Sequence, residues 1–294
     1  MPSGQSSVVG ITGASGYLGG SLATLLRSQG HKVVEFRRPG TADEVANARH
    51  LDLSESFAAG SFSGLDSLVL AAWDLRETNS ASAWTKNVEG TRRVVKAALD
   101  EGVKRVVFVS SMSAYFGTRQ DYGLMKLAVE RTVLEAGQVA VRPGLVYGGA
   151  AGGMTLTLSR LARLPLIPVF RRASLFTAHV DDVIGAVSRL AVAEAPVSGV
   201  VGLAEATRVP FETIMREIAH AVGSSSRLIS VPWQPLLAAL RIAERMGVPL
   251  PVRSDSLLGL VRPATKLPGS DTIARLGLSF RPFPEGLGGL VYPS

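Results

Sequence analysis

The stretch Thr12-Gly13-Ala14-Ser15-Gly16-Tyr17-Leu18-Gly19 constrains this chain more than any other. Before it, Ser7 to Ile11 is a short, apolar, β-branched run, which reads as a buried strand. After it, Leu22 to Arg27 has a helical pattern. Strand, glycine loop and helix in that order are the setting of a dinucleotide-phosphate loop. Gly13 permits the tight turn, Gly16 lets the backbone approach a pyrophosphate, and Gly19 lets the helix pack close. The helix N-terminus then offers free N–H groups to phosphate. The whole loop, with Ser15, Tyr17 and Leu18, is expected to hold the cofactor. A plain glycine turn needs neither the strand nor the helix.

The next strand, Lys32 to Phe36, ends at Arg37-Arg38. A NAD site usually places an acidic residue here, to accept from the ribose 2′-OH. Arginine instead suits a 2′-phosphate. NADP is therefore favoured over NAD, and the sequence does not rank the two arginines. A helical segment leads to Leu51-Asp52-Leu53, the expected end of a third strand, with Asp52 placed to cap the turn at Ser54. Leu65 to Ala72 is the fourth strand, and small Ala71 and Ala72 leave room beside a cofactor. Trp84 to Leu99 reads as a helix containing Asn87. Val103 to Ser110 is the fifth strand, and it runs into the hydroxyl-rich Ser110-Ser111-Met112-Ser113-Ala114-Tyr115. Hydroxyls at the carboxyl end of a parallel strand lie where α/β sheets bind ligands.

Tyr122 and Lys126 follow, four residues apart and so on one helix face. An ammonium beside a phenol favours the phenolate, so the tyrosine's pKa is expected to fall, as suits a general acid/base. A further strand, Gln138 to Val141, leads to Arg142-Pro143-Gly144. The repeated strand–helix rhythm predicts an α/β fold with a doubly wound parallel sheet. After Gly148 that rhythm breaks. Residues 1–150 read as the dinucleotide-binding domain, with 177–204 returning to it through a strand at Val200 to Leu203. Residues 151–176 and 205–294 read as a smaller, mainly helical substrate lobe. Its helices are expected at 211–222, 235–246, 254–260 and 270–276, with a basic patch at Arg160, Arg163, Arg171 and Arg172.

The chain has no cysteine, which excludes disulfides, thiol nucleophiles and cysteine-held metals and fits a reducing, cytoplasmic setting. Its four histidines are scattered without partners at ligand spacing, so no metal site is expected. The net charge of +7 comes without a basic, aromatic-interleaved run, which argues against nucleic acid. No basic n-region with a cleavage site and no long uncharged apolar stretch points to a signal peptide or a membrane span. Asp181 and Asp182 read as helix-capping residues after His179.

Taken together, these motifs resemble the extended short-chain dehydrogenase/reductase family, of the NAD-dependent epimerase/dehydratase type. The resemblance rests on the Gly13/Gly16/Gly19 loop, Asp52-Leu53, Ala71-Ala72, Asn87-Val88 with Gly90-Thr91, Ser110-Ser111, Tyr122 with Lys126, Arg142-Pro143-Gly144 and His179 to Asp182. It implies a Rossmann sheet. It also implies Tyr122 as catalytic acid/base, Lys126 on the nicotinamide ribose, Ser111 on the reacting oxygen and Asn87 in support. Asp52 and Leu53 would flank the adenine, and Pro143 the nicotinamide. Met112 and Ser113 stand where sugar dehydratases of the family carry an acidic pair, which argues against dehydration. The implied activity is hydride transfer at an alcohol or ketone carbon of a small, anionic molecule such as a nucleotide-sugar. An NADPH-dependent reductase of a simpler carbonyl is the alternative, and a non-catalytic dinucleotide sensor is a third reading. A homodimer through the helices near 84–101 and 120–136 is also implied.

Overall fold

The computed structural model describes residues 6–38, 48–75, 77, 79–149, 152–248, 250 and 252–283. The expected helix before Leu51 falls largely on 39–47, outside those residues. Among the described residues, seven strands form one parallel sheet. They are β1 (Val8–Thr12), β2 (Lys32–Arg37), β3 (Ala48–His50), β4 (Ser67–Leu70), β5 (Arg105–Val109), β6 (Val139–Pro143) and, later in the chain, β11 (Gly199–Leu203). The spatial order is β11-β6-β5-β4-β1-β2-β3, so the winding reverses between β1 and β4. That is the point at which an open α/β sheet has a crevice beyond its strand ends.

Period-two alternation shares each strand between two cores. Val9, Ile11, Val107 and Val109 face one side, against Leu22 and Leu26 of α1 (Tyr17–Ser28) and Val183 and Val187 of α6 (Val180–Ala191). Leu68, Val106 and Phe108 face the other side. There they meet Val94 and Val95 of α3 (Gly90–Asp100) and Val129 and Val133 of α4 (Asp121–Glu135).

The helix expected at 84–99 begins earlier and is not uniform. Asn79 caps α2 (Ser80–Ala83), its side chain accepting from the N–H groups of Ala81 and Ser82. A π-helical turn, Trp84–Glu89, then leads into α3. Side-chain periodicity does not signal one inserted residue, which is why the sequence reads as a plain helix. The third strand stops at His50 rather than at 51–53, although the Leu51 N–H still donates to the Arg37 carbonyl (2.8 Å). Leu53 packs under the start of α3, where Gly90 leaves space; a Cβ there collides with the Leu53 carbonyl.

The chain beyond β6 is less purely helical than its pattern suggests. Short β7 (Leu145–Tyr147) pairs with β10 (Thr177–His179), β8 (Leu166–Val169) with β13 (Arg227–Ser230), and β9 (Ser174–Leu175) with β12 (Val209–Pro210). Around them lie α5 (Gly153–Leu161), α7 (Phe211–Ala221), α8 (Trp233–Arg245) and α9 (Ser254–Val261). Phe170, Phe211, Ile214 and Leu257 share their core. The last described helix, α10 (Ser270–Arg275), is followed by Arg281, whose guanidinium forms a bidentate pair with Asp182. His179, not an aspartate, caps α6: its Nδ1 accepts from the Asp181 N–H (3.3 Å). Asp182 is taken up by Arg281.

Two glycines test this packing. Gly90→Ala forces a methyl onto backbone and should cost about 1–3 kcal/mol. Gly185, in the interior of α6 with open space at its Cβ position, should gain up to about 1 kcal/mol on mutation to alanine. Thermal melts of the two variants check both signs.

Candidate active site

A cavity of about 720 Å³ opens at the carboxyl ends of β1, β4, β5 and β6. Its walls include Gly13, Gly16, Tyr17, Leu18 and Gly19 at one end, and Ser111, Tyr122, Lys126 and Pro143 at the middle. The second lobe closes it with Arg253, Asp255, Ser256 and Gly259. Ala71 lines it as well; Ser15, Ala72, Asp52, Leu53, Arg37, Arg38 and Asn87 do not.

The glycine loop is built for a close approach. Gly13 has φ +70°, and a Cβ on it would lie 2.8 Å from the Ala72 backbone. A Cβ on Gly19 would collide with the Gly13 carbonyl. Thr12 completes the turn: its buried hydroxyl accepts from the N–H groups of both Ala71 and Ala72 (3.1 Å each). Gly16 caps α1 without a side chain, and no acidic residue lies in the first turn. The first-turn amides of α1, with no side-chain cap, and the helix dipole fit a pyrophosphate.

Ser111 and Tyr122 both line the cavity, Ser111 acts to lower the phenol's proton affinity, and the Ser113 N–H donates to Ser111 Oγ (3.1 Å). Ser110 is turned away, its hydroxyl bonded to buried Glu130. Glu130 in turn receives Arg142 through both oxygens (2.9 and 2.6 Å). Lys126, also buried, donates to the Val109 carbonyl (2.8 Å) and lies 3.7 Å from the centre of the Trp73 ring. Its ammonium is 5.7 Å from the centre of the Tyr122 ring.

The proton affinities depart from the sequence expectation. Burial pushes Tyr122 up to about 12, with Ser111 opposing and the charge of Asp255 adding to the rise. The expected fall is not found, because desolvation of the phenolate is the largest influence and Asp255 adds to it. Burial also holds Lys126 well below the ordinary lysine value, against the pull of Glu130.

Asn87 is fully buried in the π-helical turn and spends its amide on backbone. Its Oδ1 accepts from the Asp74 N–H (2.7 Å) and its Nδ2 donates to the Asp74 carbonyl (3.0 Å). The Asp74 side chain pairs with Lys86 (2.7 Å). Asn87 thus fixes the loop after β4 and does not itself line the cavity. Asp52 caps its own turn through the Ser54 N–H (2.8 Å) and hydroxyl.

The two arginines have different surroundings. Arg37 shares a face with Glu35, two residues earlier, and donates to it (2.8 Å), while Arg27 of α1 takes the other carboxylate oxygen (2.6 Å). Arg38, past the end of β2, lies within electrostatic reach of Asp52 and Lys86. The basic patch of Arg160, Arg163, Arg171 and Arg172 lies outside the cavity walls; Arg253 is the arginine of the second lobe that reaches them. Phe116 is fully exposed, and the Tyr115 hydroxyl is bound to the Arg262 carbonyl (2.6 Å), so neither is in the cavity lining. Arg253, Asp255 and Thr12 were missed by the sequence reading. Arg253-Ser254-Asp255 at a helix start offered a local capping signal and nothing that pointed at Tyr122.

The sequence profile of the NAD dependent epimerase/dehydratase family matches residues 9–199. The chain belongs to the NAD-dependent epimerase/dehydratase family. It is therefore an enzyme of an NAD-binding family, with the Rossmann-type sheet of its extended short-chain dehydrogenase/reductase relatives. A curated relative, ceramide reductase of Caulobacter vibrioides, is 31% identical over 251 residues, covering 81% of this chain and 78% of that protein. An uncharacterised Mycobacterium tuberculosis protein is 32% identical over 225 residues, 73% of this chain but 23% of that protein. The solved structure of MoeE5 with UDP-glucuronic acid and NAD superposes with a TM-score of 0.74 at 22% identity, covering 96% of this chain and 97% of that one. That likeness supports the fold. Among the described residues, no helix is long and apolar enough to cross a membrane.

Glu130 is the buried anion on which Arg142 and Ser110 both depend. Glu130→Ala should cost about 3–5 kcal/mol by stranding the Arg142 charge, and adding Arg142→Leu should recover part of it. Chemical denaturation of the single and double variants reads the difference.

Proposed function

We propose that this enzyme transfers hydride between NADP(H) and a secondary alcohol or ketone carbon, with carbonyl reduction the favoured direction. The observation that carries the reading is the Tyr122 phenol. It lies within the electrostatic influence of Ser111, one turn from Lys126, in the same cavity as the glycine loop. A bound nicotinamide supplies the hydride. The chain's own residues handle the oxygen. Ser111 and Tyr122 both donate to it, and as negative charge develops there Tyr122 gives up its proton. A phenol whose pKa lies near 12 is a full donor at neutral pH, which suits reduction. Lys126, so placed, can meet ribose hydroxyls on one side while the Val109 carbonyl and the Trp73 face hold it on the other.

The substrate side of the cavity is largely apolar: Met112, Met125, Leu145, Met154, Phe176 and Leu260. This, with the ceramide reductase relative, favours a hydrophobic ketone or aldehyde. The second reading, a nucleotide-sugar oxidoreductase or epimerase, is favoured by Arg253, a cation placed for a diphosphate, and by the UDP-sugar complexes among the structural neighbours. For the cofactor, NADP is the favoured form, with the 2′-phosphate contact assigned to Arg38, which lies past the end of β2 within reach of Asp52 on the expected adenine side. A homodimer through the helices at 84–101 and 120–136 finds support in exposed Trp84 and Leu124, one on each segment.

Tyr122→Phe should abolish NADPH oxidation driven by a long-chain aliphatic ketone while NADPH still binds; turnover at the wild-type rate refutes the acid–base role. Arg38→Asp should weaken NADPH about 10–100-fold, as loss of a charge-assisted contact does, and leave NADH nearly unchanged. Titrations with both cofactors decide this, and equal affinities in the unmutated enzyme contradict the preference.

A further inference from the structure

Asp255 lies in the first turn of α9, in the second lobe, yet both carboxylate oxygens turn to another element. Oδ1 accepts from the Asp121 N–H (2.8 Å) and Oδ2 from the Tyr122 N–H (3.3 Å). These amides open α4, and the residue before them, Gln120, makes no side-chain cap of its own. Gln120 instead donates its amide to the Asp255 carbonyl (2.8 Å). Gly259, one turn further along α9, makes the approach possible, because a Cβ there collides with the Gln120 amide. The hydroxyl of Tyr115 adds its bond to the Arg262 carbonyl at the exit of α9. Every one of these contacts joins the second lobe to the Ser111–Tyr122 segment, and Asp255 itself lines the cavity.

We propose that Asp255 is a positioning residue: a carboxylate delivered by the second lobe that fixes the N-terminus of α4 and so holds the Tyr122 phenol opposite Ser111. The proposal rests on the reading of Tyr122 as the acid/base. A carboxylate is well suited to the place, since it satisfies two orphan N–H groups and lies at the positive end of the helix. Its charge also acts on the phenol. Asp255 opposes ionisation of Tyr122, which keeps the tyrosine in its donor form. Charged groups flank the pair on both sides. Asp121 of α4 repels the Asp255 charge and Arg253 favours it; Ser111 and Lys126 face the phenol. Burial pushes Asp255 itself upward, with the two backbone donors opposing. The carboxylate that acts on the Tyr122 proton is thus supplied by the second lobe.

The test uses the full chain and needs no substrate. Tyr122 ionisation is followed by tyrosinate absorbance as the difference between the wild-type protein and Tyr122→Phe, which removes the contribution of the other four of the chain's five tyrosines. In an Asp255→Asn background this transition should move to lower pH. Amide hydrogen exchange at Asp121 and Tyr122 should quicken about tenfold or more, as loss of a hydrogen bond to a charged group does, with the end of α4 unchanged. A cap with a purely structural role changes the melting temperature and leaves the Tyr122 transition in place; that result overturns the proposal. Should Asp255→Asn not fold, Asp255→Glu, which displaces the carboxylate by one methylene, is read by the same exchange assay. Wild-type protection at Asp121 and Tyr122 then refutes the idea. Failure here leaves the acid–base reading intact, since that stands or falls on turnover by Tyr122→Phe.

Discussion

The cleft exists because two neighbouring parallel strands stop hydrogen-bonding to each other and their chains part in opposite directions. At that parting, between β1 and β4, the Thr12 hydroxyl takes the two amides that the ladder no longer serves. Gly13 lies against the Ala72 backbone at the same point, with no side chain to hold the two apart. Buried backbone donors left without a partner are costly, so one hydroxyl at this position lets the sheet end cleanly and open. Glycine loop, cavity and the start of α1 all follow from that ending.

On the far side of the cleft the chemistry depends on burial more than on formal charge. Tyr122 and Lys126 are neighbours on a helix turn, and the simple expectation is that the cation draws the proton off the phenol. Desolvation works against both charged forms. It raises the tyrosine and lowers the lysine; the Asp255 charge adds to the rise at the phenol, while Glu130 pulls the lysine back upward. The Arg142–Glu130 pair beneath them keeps that part of the helix neutral overall while Ser110 is held out of the way.

What the sequence made legible was whatever lies close along the chain. The glycine spacing, the Tyr122–Lys126 interval and the strand–helix rhythm are local patterns, and the winding of the sheet follows from them. The division between Arg37 and Arg38 was also within reach. Glu35 stands two residues before Arg37, and strand alternation puts those two together. The contacts of Asp255 were out of reach, because 133 residues separate it from Tyr122 and only the folded second lobe closes that gap. The same holds for Arg253 and for Thr12, whose hydroxyl serves amides about 60 positions downstream in the chain. The short strands of the second lobe were hidden for a different reason: two- to four-residue segments carry too little periodicity to be told from turns.

The π-helical turn at Trp84–Glu89 has a further consequence, in the phase of the helix. One residue more per turn than the α-form rotates everything after it by about 100° relative to an uninterrupted helix. The segment from Ser80 to Asp100 therefore carries two angular registers. α3 keeps Val94, Val95 and Ala98 against the sheet, while the wider turn aims Asn87 at the backbone of Asp74. Removing a single residue from the turn cannot preserve both alignments. The chain length between Asn87 and Val94 is a dimension of the site, as fixed as any bond distance within it.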